Sequence, residues 1–157
     1  MSDTALREHV AALLAWNDAH ATLERTVEGV PDDQWTARAP GIPHNLWELL
    51  EHIRITQHDI LDFCRNPRYA PPKWPDDYWP DPSSRPSASD IAAKVEAYRK
   101  DRDALTALAA NRHVDLFSRI PHGTGQTYLR ELLLVADHTS YHLGQMVTVR
   151  RALGNWD

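Results

Sequence analysis

Seven prolines crowd the stretch from Arg65 to Ser89: Pro67, Pro71, Pro72, Pro75, Pro80, Pro82 and Pro86. Each lacks a backbone N–H and fixes φ near −65°, so most of this stretch cannot be helical. The flanking segments differ. They carry apolar residues at helical spacing, and none alternates apolar and polar residues as a strand would. The chain is therefore expected to be all-α, with helices before and after a long crossover.

Four helices are expected. The first runs from about Thr4 to Val27, with Leu6, Val10, Leu13, Leu14, Ala21 and Val27 inward and Gly29 and Pro31 ending it. The second starts after Asn45, an N-cap with Glu48 three residues on in a capping-box arrangement, and stops before Pro67. Its stripe is Leu46, Leu49, Leu50, Ile53, Ile60, Leu61 and Cys64. Ser87 or Ser89 caps the third, from about Asp90 to Ala110. The fourth spans about Thr127 to Leu153 and ends at Gly154, with Glu131 early and Arg150 and Arg151 late, as the helix dipole favours.

A helix of about 20 residues is about 30 Å long, and a crossover of about 24 residues can return along it. Helices two and three are thus permitted to run parallel. The crossover also carries Tyr69, Trp74, Tyr78 and Trp79, too much aromatic surface for a solvated linker. Two readings stay open: a structured strap packed on the bundle, or a lid over a pocket.

Composition excludes several classes. Apolar residues make up 42% of the chain, as in ordinary globular proteins. No apolar run reaches the roughly 18 residues of a membrane span. The start MSDTALREHV has no basic region followed by an apolar block, so no signal peptide is expected. Cys64 is the single cysteine, which suits a reducing, cytoplasmic setting. A net charge of −5, with both signs interspersed, gives no footprint for nucleic acid or an anionic membrane.

Nine histidines shift the question to position. His138 and His142 stand four apart in VADHTSYHLGQM, on one helix face and one turn apart. Two imidazoles so placed can ligate one ion. Thr139 occupies the place of the glutamate in H-E-x-x-H, so a protease-type zinc site is not expected. Two stacked histidines among apolar residues need partners, and a metal supplies a shared one. A third ligand should come from helix two. His52 follows Leu49 and Leu50 at the edge of the buried face, whereas Arg54 and Asp62 flank His58, so spacing favours His52 without deciding it. His9 and His20 read as surface or half-buried, His113 as a loop residue, and His44 and His122 as loop residues able to approach one end of the bundle.

Three stretches resemble the DinB-like superfamily of bacterial four-helix proteins, which includes the YfiT-type metal-dependent hydrolases and thiol transferases. They are WTARAPGIPHNLWELLEHI at 35–53, PPKWPDDYWP at 71–80, and HGTGQTYLRELLLVADHTSYHLGQM at 122–146. The similarity covers nearly the whole chain, treated as one bundle domain over 1–157. The family's helix-two histidine matches His52 and its last-helix pair matches His138 and His142. The resemblance implies an up-down-down-up four-helix bundle, a zinc, nickel or related divalent ion, and frequent homodimers. It also implies a reaction with a low-molecular-weight thiol such as bacillithiol or mycothiol, either its transfer or its use in an isomerisation.

A three-histidine site keeps a coordination position open, the catalytic pattern for zinc. Ionising a bound water or a bound thiol uses the same ligands, which therefore do not choose between them; the resemblance puts thiol transfer to an electrophile first and metal-dependent hydrolysis second. A non-enzymatic metal- or ligand-binding bundle, or a purely structural one, is the rival class. Helical spacing nominates Glu131, Gln145 and Asp59 to orient a ligand or accept a proton. Trp74, Tyr78, Trp79 and His122 are expected to line a substrate pocket, with Arg130 and Arg54 as grips for an anionic head. Cys64 reads as core.

Overall fold

The computed structural model describes residues 3–16 and 18–157. Among these there are five helices and no strand: α1 (Asp3–Leu13), α2 (Leu23–Val27), α3 (Leu46–Arg65), α4 (Ala88–Ala110) and α5 (Tyr128–Ala152). Asn45 starts α3 with a reciprocal capping box. Its side chain accepts the Glu48 N–H at 2.9 Å, and its own N–H donates to the Glu48 carboxylate at 3.1 Å. Ser87 and Asp90 repeat the device at α4, and Thr127 caps α5. Gly154, at a φ of 76°, turns the chain at the end of α5.

The expected first helix is broken in two. Thr22 begins a new helix by accepting the Arg25 N–H at 3.2 Å. Just before it, His20 faces the Ser140 hydroxyl on α5 at 2.9 Å. The Trp16 indole donates to the Asp18 carboxylate. Polar side chains here bond locally or across to α5, which competes with helix continuation. Asn17, within the expected helix, lies outside the described residues.

Cross-helix pairs give the directions. Glu51 meets Lys94 at 3.3 Å, Gln57 donates to the Tyr98 carbonyl at 2.8 Å, and His58 meets Asp101 at 2.9 Å. Numbers rise together, so α3 and α4 run parallel. Arg7 reaches the carbonyls of Ala109, Asn111 and Val114 while Glu24 faces Arg99 and Arg102, so the first segment opposes α4. His52 meets His138 and Phe63 meets His122, which makes α5 antiparallel to α3. With His20 on Ser140 and Thr26 on Arg150, the first segment parallels α5. The bundle is up-down-down-up.

Two apolar clusters hold it together. Leu46, Leu50, Ile53, Leu143, Met146 and Val149 pack with Trp35 and Trp47 at one end. Ile60, Leu61, Cys64, Leu105, Leu132 and Val135 pack at the other. Each fully buried large side chain contributes about 1.5–3 kcal/mol. Between the clusters α3 and α5 present polar groups, among them Gln57, Thr139, His52 and His142. Among the described residues no helix is long and apolar enough to cross a membrane.

Candidate metal centre

Two helices supply the cluster. His52, one turn from the buried Leu49, projects from α3, and His138 and His142 project from successive turns of α5. Each of the three offers a ligand atom, and these atoms all lie within 4.8 Å of one another. The Nε2 atoms of His52 and His138 stand 3.1 Å apart. Their ring centroids are 4.9 Å apart, and those of His138 and His142 are 4.4 Å apart.

The outer nitrogens are engaged. His52 Nδ1 faces the Tyr78 carbonyl at 2.8 Å, and His142 Nδ1 faces the Gln145 carbonyl oxygen at 2.7 Å. Both partners are acceptors, so each holds an Nδ1–H and leaves a lone pair on Nε2. Trp79 stacks flat on His52, with centroids 3.9 Å apart and planes 1° from parallel. His44 stacks on Trp79 at 4.2 Å, and the edge of Tyr141 meets His142 at 4.9 Å.

Electrostatics keep the imidazoles neutral. Burial, reinforced by the charges of His142 and His52, pushes His138 down to about 3. Burial also lowers His52 and His142, although the bonds to Tyr78 and Gln145 pull the other way. Neutral rings are the form that ligates a metal. The donor set passes a further test of fit. With His52 Nε2 unprotonated, a second ring nitrogen 3.1 Å away repels it unless a proton or a cation lies between. Ligands of one tetrahedral zinc stand roughly 3.3 Å apart, close to this separation.

Gln145 is at the cluster, bonded to His142. Tyr78 and Trp79 cover His52, whereas Trp74 is 69% exposed and tilts against Tyr78. Asp59 accepts hydrogen bonds from the Tyr69 and Tyr78 hydroxyls at 2.8 and 2.7 Å. Burial followed by the bond to Asp59 raises both phenols, Tyr78 to about 12. Glu131 is buried and pairs with Arg130 at 2.6 Å; His122 bonds the Phe63 carbonyl at 2.7 Å. Both line a separate cleft of about 470 Å³ that also includes Asp59 and Tyr69. Arg54 is paired with Glu51, and Cys64 is core, its thiol raised to about 12 by burial and the charge of Glu131.

A smaller cleft of about 210 Å³ adjoins the cluster, lined by Ile42, Pro43, His44, Leu49, Tyr141 and Gln145 among others. Spacing did not single out Tyr141, though its place directly before His142 was a usable signal. Nor did it reveal the Tyr78 carbonyl, because a backbone acceptor leaves no mark in a side-chain pattern.

The fold and the cluster define a class: an up-down-down-up helical bundle whose three histidines could hold a metal ion. Residues 15–146 match the family model of the DinB superfamily, and the chain belongs to that superfamily. No curated protein and no solved structure matches it.

Proposed function

We propose that the protein is a divalent-metal-dependent enzyme whose metal, zinc or nickel, is held by His52, His138 and His142. The observation that carries this reading is the convergence of three neutral imidazoles, two of them with Nδ1 held by the Tyr78 carbonyl and Gln145. Three protein ligands leave one position of a tetrahedral ion for a substrate. A cation there would act as a Lewis acid, lowering the pKa of a thiol or water it holds.

The chain's own residues prepare the place. Trp79 shields one face of His52 from water, and Gln145 fixes the His142 ring. The neighbouring cleft is lined by apolar Ile42, Pro43 and Leu49 together with polar His44, Tyr141 and Gln145, suited to a small, largely uncharged electrophile. Transfer of a low-molecular-weight thiol to such an electrophile is the leading reading. Hydrolysis is the second, favoured by one observation. Arg54 and Arg130, the expected grips for a thiol's anionic head, are paired with Glu51 and Glu131. With Cys64 its single cysteine, free and buried, the chain suits a reducing cytoplasm, and a homodimer is proposed from the resemblance to the family.

Elemental mass spectrometry of untagged protein tests the reading. About one equivalent of metal per chain is expected in wild type, following the one-site logic of a three-histidine centre, with loss in His138→Ala. Wild type that stays metal-free after incubation with zinc, nickel and manganese overturns it. With metal bound, turnover of an electrophile that requires added thiol selects transfer, and turnover without thiol selects hydrolysis.

A further inference from the structure

The crossover has no long helix of its own, yet it makes two contacts with His52: the Tyr78 carbonyl on Nδ1 and the Trp79 ring on the imidazole face. Both depend on the crossover being held at one height along α3. Besides ring contacts, Asp59 ties the crossover to α3 by side-chain hydrogen bonds. Its two carboxylate oxygens are taken by two crossover phenols, Tyr69 at 2.8 Å and Tyr78 at 2.7 Å. Tyr78 is thereby fixed to α3 at both ends, by its hydroxyl at Asp59 and by its carbonyl at His52. These two α3 residues are seven apart, or about 10 Å along the axis, and face the same side.

We propose that Asp59 is a positioning residue that, through Tyr78, holds the crossover so that His52 turns Nε2 toward His138 and His142. This rests on the metal-site reading above, because it assigns a purpose to the ring's orientation. Without Asp59 the two phenols are released and the Tyr78 carbonyl loses its fixed place. His52 then gains access to the tautomer with its proton on Nε2, which cannot ligate through that atom. Outer partners of ligating histidines typically change metal affinity 10–100-fold. Asp59 acts one step further out, so about tenfold is expected.

The test combines nitrogen-15 spectra of the metal-free protein, which report the His52 tautomer, with zinc affinity by chelator competition. In wild type His52 is expected as the Nδ1–H form. Asp59→Ala and Tyr78→Phe are expected to mix the tautomers and weaken zinc by about tenfold. Asp59→Asn keeps an acceptor oxygen and should recover most of both readouts. Tyr69→Phe leaves the Tyr78 bond intact and should lower only the melting temperature. If the tautomer and zinc affinity stay at wild-type values in Asp59→Ala and Tyr78→Phe, Asp59 is only an anchor and the proposal is overturned. Should Asp59→Ala fail to fold, Tyr78→Phe decides alone. If wild type binds no zinc, the metal reading falls separately, and an unchanged His52 tautomer in Tyr78→Phe still overturns the positioning role.

Discussion

At His52 the groove between α3 and α5 holds three imidazoles, two of them with the outer nitrogen engaged, and their ligand atoms face one another. About two turns further along α3, at Asp59, the same groove holds a histidine and two carboxylates that are each already satisfied. Asp59 accepts from two phenols, Glu131 pairs with Arg130, and His122 bonds the Phe63 carbonyl. Carboxylates and imidazoles both bind divalent metals, with different preferences among them. The difference lies in which lone pairs are free. In the upper region bonding to Tyr78 and Gln145 leaves Nε2 available and pointed inward, whereas in the lower region two phenols and Arg130 engage the carboxylate oxygens that would themselves have to ligate.

The largest expected difference between the two regions is in the response of the metal-free protein to pH. Burial holds all three imidazoles of the cluster below their ordinary 6.5, with His138 down to about 3. The folded state therefore keeps neutral rings while the unfolded chain takes up protons near 6.5. The resulting stability is complete above that pH and is lost as pH falls toward the folded values. Thermal unfolding of metal-free protein from pH 7 to pH 4 should show a falling melting temperature, and a shallower fall in His138→Ala. Equal slopes would show that the cluster is not the titrating region and would break the comparison.

The lower region should instead respond to loss of charge pairing. Glu131 is only 2% exposed, and Arg130 is its cation at 2.6 Å. Arg130→Ala leaves a buried carboxylate without that partner. Because Arg130 itself is largely exposed, a cost of about 2 kcal/mol is expected, below the range for fully buried pairs. Urea unfolding reads the loss, and zinc affinity should not move. A drop in zinc affinity would mean that the two regions are one site.

Much of the framework was legible in the sequence because it is local. Asn45 with Glu48 and Gly154 each marked a helix end through chemistry contained within a few residues, and the prolines marked the crossover. The break before Thr22 was only partly legible: the Thr22 cap on Arg25 is local, but His20 meets Ser140 from a helix more than a hundred residues away. At the site, spacing put His138 and His142 on one face and favoured His52 over His58, which the structure places at the surface beside Asp101. Gln145 was nominated by its register with His138, yet it bonds His142. Glu131 and Asp59 share faces with the clustered histidines but sit about two turns away along their helices, a distance that face-sharing arguments do not register. The hold of Tyr78 on His52 involves a main-chain oxygen, which residue type cannot encode.

The smallest expected effect comes from His122, and it tests the comparison most directly. Its imidazole donates to the Phe63 carbonyl at 2.7 Å and sets its ring edgewise to Phe63 at 5.4 Å. The residue is exposed, so His122→Ala removes one hydrogen bond that water can replace, and about 0.5–1 kcal/mol of stability is expected to go with it. Zinc affinity and the His52 tautomer should both stay at wild-type values, because nothing bonded to His122 touches the cluster. A variant that unfolds normally but loses zinc affinity would join the two clefts functionally. It would make the lower groove an approach to the metal centre, with His122 serving the same pocket as Trp79. A variant unchanged in zinc affinity leaves Tyr78 and Asp59 as the link between the regions, running through the crossover and not through the groove floor.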